Sequence, residues 1–356
     1  MSKKKVLIAV GGTGGHVFPA ASLGKELIDN NVEVKFVGGG LLQNKYFDRK
    51  QFSFQEITCG FLSTRNPIKF LKGMLNVGRG ILEGRKILKE FGPDVVVGFG
   101  SFYTFPILSA AKLTSSAPII LHEQNAIPGR VNRLLSPYVN FTAVSMPDAS
   151  KVLAGNVRHV EMPLKVTHHI SKEKARNHYG LAPEKRTILI FGGSQGAGVL
   201  NHTFLKSIPG LKDVQIIHFT GNSEMTLEAK EFYHKHQILS CVKDFEGSMN
   251  YAWSAADLAI TRSGASTIAE AIEYEVPLIM CPFPKAMDNH QEKNADFMIQ
   301  TVGGGEKILE KNLMPNELAL QITGLPLDKM KQSIIEYKNN TKSPSLLSLV
   351  VEILGN

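Results

Sequence analysis

Two short apolar runs, each ending in a glycine-packed turn that leads into a helix, stand about half a chain apart: VLIAVGGTGGHVFPA from Val6 to Ala20 and TILIFGGSQGAG from Thr187 to Gly198. An uninterrupted apolar strand suits the interior of a parallel sheet. A glycine turn at a helix N-terminus brings backbone amides up to an anion. A chain that repeats this unit is constrained to two nucleotide-type folds. At 356 residues, 43% of them hydrophobic, it is long enough to bury two ordinary cores.

The pattern between the two turns agrees. VLIAV, VEVKFVG, VVVGFG, PIILHE and FTAVS alternate with helix-like stretches through the first half, the pattern of a parallel sheet covered on both faces. After Pro163 it restarts with TILIFG, VQIIHFTG, VKDF, DLAIT and PLIMCPF. We therefore expect an α/β chain with an N-terminal domain over 1–163 and a C-terminal domain over 164–340. A terminal helix within 341–356 is expected to pack back on the N-terminal domain.

Three cysteines, Cys59, Cys241 and Cys281, lack CxxC spacing and offer neither a disulfide framework nor a zinc site. The start, MSKKKVLIAVGG, has too short an apolar run for a signal peptide, and Gly98, Gly100 and Pro106 break the uncharged stretch from Val95 to Ala111. No membrane span is expected. A net charge of +8 suits a polyanionic partner: nucleic acid, acidic lipid or a phosphorylated substrate. The chain has no zinc-finger or RNP-type signature, which disfavours nucleic acid. No carboxylate pair with metal spacing stands out, so neither a metal nor a cofactor is expected.

The motifs sharpen this. Gly11, Gly12, Gly14 and Gly15 let the backbone approach a ligand, but a GxGxxG frame begun at Gly12 and Gly14 meets Val17 at its third position, which disfavours NAD. His16 lies at that turn with a side chain suited to taking a proton from a hydroxyl. GGSQGAG is not followed by GK[ST], so Ser194, Gln195 and Gly196 suit a phosphate or sugar without making a P-loop. Farther on, Ser263, Gly264, Ala265 and Ser266 would present helix N-terminal amides to a diphosphate. Glu270 lies inside the same helix, where it would accept from ribose hydroxyls, and His290 and Gln291 occupy a loop suited to reading a sugar. His122, Glu123, Gln124 and Asn125 gather at another strand end. From Pro67 to Phe91, Phe70, Leu71, Met74, Leu75, Ile81 and Leu82 are ringed by Lys69, Lys72, Arg79, Arg85, Lys86 and Lys89. That stretch reads either as a surface for anionic lipid or as a core-facing helix, and Gly73, Gly78, Gly80 and Gly84 predict an imperfect one. On these residues alone, a sugar-nucleotide enzyme, whether transferase or epimerase, stands beside a non-catalytic membrane scaffold.

Taken together and in order, GGTGGHVFPA, HEQNAIPGRVNRLL, GGSQGA, SGASTIAEAIEYEVP and the HQ pair followed by NA resemble the MurG family of bacterial peptidoglycan glycosyltransferases over nearly the whole chain. The resemblance implies a GT-B fold, two Rossmann-like domains with parallel sheets facing a cleft. It implies inverting transfer of N-acetylglucosamine from UDP-N-acetylglucosamine to the 4-hydroxyl of lipid I, undecaprenyl-diphospho-N-acetylmuramyl-pentapeptide, to make lipid II. It implies a peripheral enzyme on the cytoplasmic face of the plasma membrane, on an anionic surface, with partners among cell-wall synthesis and division proteins. Carried over by position, His16 is the candidate catalytic base. The donor would meet Thr13, Gly14, Gly15, Lys165, Ser194, Gln195, Gly196, Phe245, Ser263, Gly264, Ala265, Ser266, Thr267, Glu270, His290 and Gln291, with Phe245 beside the uracil. The acceptor would meet Gly12, Gly100, Ser101, Phe102, Glu123 and Asn125. Lys165 stands where the family usually has arginine, and Glu246 holds a usually apolar place beside the uracil.

Overall fold

Within the run Val6–Val10, Val6, Ile8 and Val10 enter one hydrophobic cluster while Leu7 and Ala9 enter another, so the strand is buried on both faces. The computed structural model, which describes residues 3–60, 66–164, 170–193 and 197–355, builds such a strand into each of two compact units. Unit 1 comprises Met1–Lys165 with Ser343–Asn356, and unit 2 comprises Val166–Lys342.

Unit 1 runs β1 (Lys5–Ala9), α1 (Gly14–Asp29), β2 (Glu33–Gly38), β3 (Phe54–Glu56), α2 (Pro67–Phe91), β4 (Val95–Gly98), α3 (Phe105–Thr114), β5 (Ile119–Glu123), α4 (Arg130–Leu135), β6 (Phe141–Val144) and β7 (Val157–His159). Its seven strands lie in the order β3-β2-β1-β4-β5-β6-β7, and the pairings are parallel, with Ile8 flanked by Phe36 and Val97. The order reverses between β1 and β4, the position at which open parallel sheets bind ligands beyond their carboxyl ends.

Unit 2 runs α5 (Lys172–His178), β8 (Arg186–Phe191), α6 (Gly198–Ser207), β9 (Val214–Phe219), α7 (Ser223–Lys235), β10 (Ser240–Lys243), α8 (Met249–Ala255), β11 (Leu258–Thr261), α9 (Ala265–Glu273), β12 (Leu278–Met280), α10 (His290–Phe297), β13 (Gly305–Lys307), α11 (Pro315–Gly324) and α12 (Leu327–Asn340). Its parallel sheet has the order β10-β9-β8-β11-β12-β13. The reversal here falls between β8 and β11. Helix α13 (Leu346–Gly355) packs Leu346, Leu349, Val350 and Leu354 into the same cluster as Leu23 and Leu27 of α1. Arg158 and Glu352 bridge α13 to β7 at 3.7 Å.

The expectation of an imperfect helix at 67–91 is corrected by the structure. Asn66 caps α2 by accepting from the Lys69 amide, Pro67 starts it and Gly92 ends it in the left-handed conformation. Between them the helix is continuous. Gly73, Gly80 and Gly84 lie on its buried face with Ile87, Leu88 and Phe91: a Cβ at Gly80 would drive into the Thr58 carbonyl oxygen, and one at Gly84 would crowd Ala110 and Ile107 of α3. Glycine here serves close approach, which leaves Ile68, Leu71, Met74, Leu75 and Leu82 exposed on the outside.

Candidate functional site

Each unit gathers polar residues beyond the carboxyl ends of its central strands. In unit 1 the turn after β1 abuts the turn after β4. Gly12 has φ +94°, and a Cβ there would lie 2.9 Å from the Ser101 hydroxyl oxygen, so only glycine fits between the loops. Gly100 and Ser101 also take positive φ, and Asn44 donates to the Gly12 carbonyl at 2.7 Å. Thr13, Gly14 and Gly15, expected on the donor, lead into α1 in this same group, with the Phe18 ring folded over Gly14. Phe102 is half-buried and stacks on Phe105.

His16, in the first turn of α1, places its Nδ1 2.8 Å from the Phe99 carbonyl oxygen. A carbonyl only accepts, so Nδ1 carries the proton and Nε2 is the basic nitrogen. The side-chain amide of Gln124 lies 2.9 Å from the same Nδ1. Turned with its oxygen toward that N–H, the amide provides a second acceptor. The turn also gives the Gln124 oxygen, otherwise buried with no partner among the described residues, a donor to accept from. The Phe99 carbonyl at Nδ1 favours the tautomer that a base acting through Nε2 requires. His122, fully buried next along the strand, is pushed down to about 3, by burial first and by His16 second. It stays neutral and holds Ser145 at 3.0 Å.

Glu123, expected against the acceptor, is bound up within its own unit. Its carboxylate is 1% exposed and accepts from the Asn125 amide and side chain, from the Gly129 amide at 2.8 Å and from Asn132 at 2.9 Å. It ties down the segment 125–132. Asn125 is half-buried at the start of that segment.

In unit 2, Gly264 caps α9 in an extended conformation, and Ala265, Ser266 and Thr267 form the first turn. The Ser266 hydroxyl is buried and has no partner among the described residues, as a group reserved for a ligand would be. Ser263, expected at the donor, is fully buried, donates to the Gln291 carbonyl at 2.7 Å, and its own carbonyl accepts from Asn294 at 3.1 Å. It fastens α10 to the β11–α9 turn. Gln291 accepts from the Phe283 amide through its side-chain oxygen, which leaves its NH₂ to donate. His290 places Nδ1 2.8 Å from the Met287 carbonyl, after Asp288 and Asn289 at positive φ.

Glu270 is not a solvated helix residue. Its Oε2 accepts from the Trp253 indole N–H at 2.9 Å, and burial pushes its carboxyl up to about 7 against that hydrogen bond. Phe245 is 67% exposed, a ring open for stacking. Beside it, Glu246 accepts from Lys243 at 2.7 Å and from the Ser248 amide, and these bonds hold its carboxyl below the usual range despite burial. Its charge is answered within the loop. Lys165, Ser194, Gln195 and Gly196 lie outside the described residues.

The model of the glycosyltransferase family 28 N-terminal domain matches residues 6–144, and that of the family's C-terminal domain matches residues 187–349. The chain belongs to glycosyltransferase family 28. Within the family, the chain is 44% identical to a UDP-N-acetylglucosamine–N-acetylmuramyl-(pentapeptide) pyrophosphoryl-undecaprenol N-acetylglucosamine transferase of Protochlamydia amoebophila, over 98% of this chain and 96% of that protein. It is 33% identical to the transferase of the same name from Chlamydia pneumoniae, over 99% of each. The crystal structure of Acinetobacter baumannii MurG shares the fold, with a TM-score of 0.77 at 24% identity over 98% of both chains. The two parallel-sheet, Rossmann-like units are thus those of a family-28 enzyme.

Two residues of this family-28 chain escaped the sequence reading. Trp253 belongs to none of the motifs, and only the fold brings its N–H to Glu270. Arg262 is buried after β11, donates to the Cys281 carbonyl at 3.0 Å and pairs with Glu310, so it braces the ends of β11 and β12.

Proposed function

We propose that this chain moves N-acetylglucosamine from UDP-N-acetylglucosamine to the 4-hydroxyl of lipid I, with inversion, to give lipid II for peptidoglycan. The observation that carries this reading is the 44% identity, over 98% of the chain, to the transferase of that name. The two polar groups suit it. His16, with Nδ1 protonated against the Phe99 carbonyl, takes the proton from the acceptor hydroxyl at Nε2. The first turn of α9, with its amides and the Ser266 hydroxyl, binds the diphosphate and stabilises the charge left on departing UDP. Glu270 accepts from the ribose, Phe245 stacks on the uracil, and His290 with the Gln291 NH₂ contacts the sugar. Gly12, Gly100, Ser101, Phe102 and Asn125 line the acceptor.

The test is transfer of radiolabelled N-acetylglucosamine from the UDP-sugar to a short-chain lipid I analogue. Label enters the lipid in the wild-type chain; His16→Ala loses about 10²-fold or more in kcat, and Glu270→Ala raises the donor KM. Donor binding without transfer would refute the acceptor assignment, and full turnover by His16→Ala would refute the base.

Among the described residues no helix is long and apolar enough to cross a membrane. The exposed apolar stripe of α2, flanked by exposed Lys69, Lys72, Arg79, Arg85, Lys86 and Lys89, supports peripheral attachment to anionic lipid on the cytoplasmic face. Neutralising Lys69, Lys72 and Arg79 together is expected to weaken cosedimentation with phosphatidylglycerol vesicles at low salt, since each cation contributes about 1 kcal/mol near such a surface. Undiminished binding would move the membrane face elsewhere.

A further inference from the structure

Trp253 is the only tryptophan of the chain, and its placement is unusual for a core ring. It is 1% exposed, held edge-on to Phe191 of β8 at 5.6 Å, yet its single polar atom is spent on Glu270, one helix away. The indole N–H meets Oε2 of Glu270 at 2.9 Å. An indole can only donate, and a carboxylate oxygen accepts best when ionised.

We infer that Trp253 is a positioning residue for the donor: by holding one oxygen of Glu270, it fixes the carboxylate so that its remaining acceptor capacity is aimed at the ribose hydroxyls. The inference rests on the reading of Glu270 as the ribose contact. Bidentate recognition of a diol requires an oriented and ionised acceptor. A carboxylate on a flexible side chain in a buried setting would rotate and take up a proton. The Trp253 bond works against both.

The surroundings leave this bond with few competitors. On α10, Glu292 and Asp296 pair with Lys307, Lys293 pairs with Asp296, and His290 bonds the Met287 carbonyl. On α12, Lys338 pairs with Glu273, and on α8 Tyr251 stacks on His178. Burial raises the Glu270 carboxyl to about 7, and the Trp253 hydrogen bond is the influence that lowers it. Donor affinity should therefore fall as pH drops through about 7, because the neutral acid accepts poorly.

Two measurements test this. In the wild-type chain without ligand, tryptophan emission followed against pH is expected to titrate with a midpoint near 7, and the transition is expected to vanish in Glu270→Gln. Steady-state kinetics of Trp253→Phe, which keeps a buried ring but has no N–H, are expected to show the donor KM raised roughly three- to tenfold, with kcat within about twofold. In that variant the loss of affinity should begin at higher pH, since removing the bond lets burial push the carboxyl further up. A merely structural role would change the melting temperature without moving that limb. Flat emission in the wild type overturns the inference whatever the variant does. A donor KM raised by Glu270→Gln but unmoved by Trp253→Phe overturns the inference alone; a donor KM unmoved by Glu270→Gln overturns the ribose reading and the inference with it.

Discussion

A carboxylate engaged by several donors has little left for a ligand, and Glu123 is that case. In the sequence it stands in HEQN among residues that look alike in purpose; in the fold, burial and the Asn125, Gly129 and Asn132 donors make it the anchor of 125–132. Glu123→Ala removes the acceptor shared by buried Asn132 and half-buried Asn125 and Gly129, so a loss of about 1–3 kcal/mol is expected in urea unfolding. Transfer should fall as well, because Gln124, which contacts His16, directly precedes the segment that Glu123 fastens. Full stability in Glu123→Ala would contradict this anchoring role. His16 was legible as a candidate base from its place in a glycine turn, whereas its hydrogen bond to the Phe99 carbonyl, 83 residues away, was not. Ser263 was legible as a helix-start residue but not as a strut, since that depends on α10 arriving beside it.

Elements were legible where the chain is apolar on both faces and hidden where it is not. VLIA, VVVG, TILIF and VQIIHF declare central strands. The edge strands β3, β7 and β13, with sequences FQE, VRH and GEK, lie at ends of the sheet orders and carry no apolar run to announce them. Helix α2 erred in the other direction, because glycine lowers helix propensity in the sequence while contact with Thr58 and α3 favours it in the fold. The two effects separate on a single helix. At Gly80 a methyl group meets the Thr58 carbonyl, so Gly80→Ala should lower the melting temperature. At Gly78 nothing lies within 4 Å, so Gly78→Ala should raise stability by up to about 1 kcal/mol. Equal effects at the two positions would contradict the packing of this face.

At the scale of the whole molecule, each unit buries a neutral histidine. His122 in unit 1 and His218 in unit 2 are both pushed down to about 3 by burial, and His218 is enclosed by Tyr233 at 2.9 Å and Asn201 at 3.2 Å. An unfolded histidine protonates near pH 6.5, so each contributes stability that is present above that pH and lost as pH falls toward 3. The slope is up to about 1.4 kcal/mol per pH unit for each. Glu270 runs the other way: its raised carboxyl favours the folded state most below about 4.5, and that contribution fades as pH rises through about 7. Between about 4.5 and 6.5 two slopes oppose one, and the histidines win. Melting temperature should therefore drop from pH 7 to pH 5, and the drop should shrink in a His122→Asn, His218→Gln double variant. An unchanged drop would assign acid sensitivity to other groups.

The return of α13 to unit 1 has a consequence for how the chain is made. Leu346, Leu349, Val350 and Leu354 fill a cluster whose other members are mostly supplied by residues before 161, and the whole of unit 2 lies between them in sequence. On the ribosome, the unit begun first is therefore the one completed second: until residues 346–354 emerge, the apolar side of α1 that they cover is open to water or to a chaperone, while unit 2 already has all its strands.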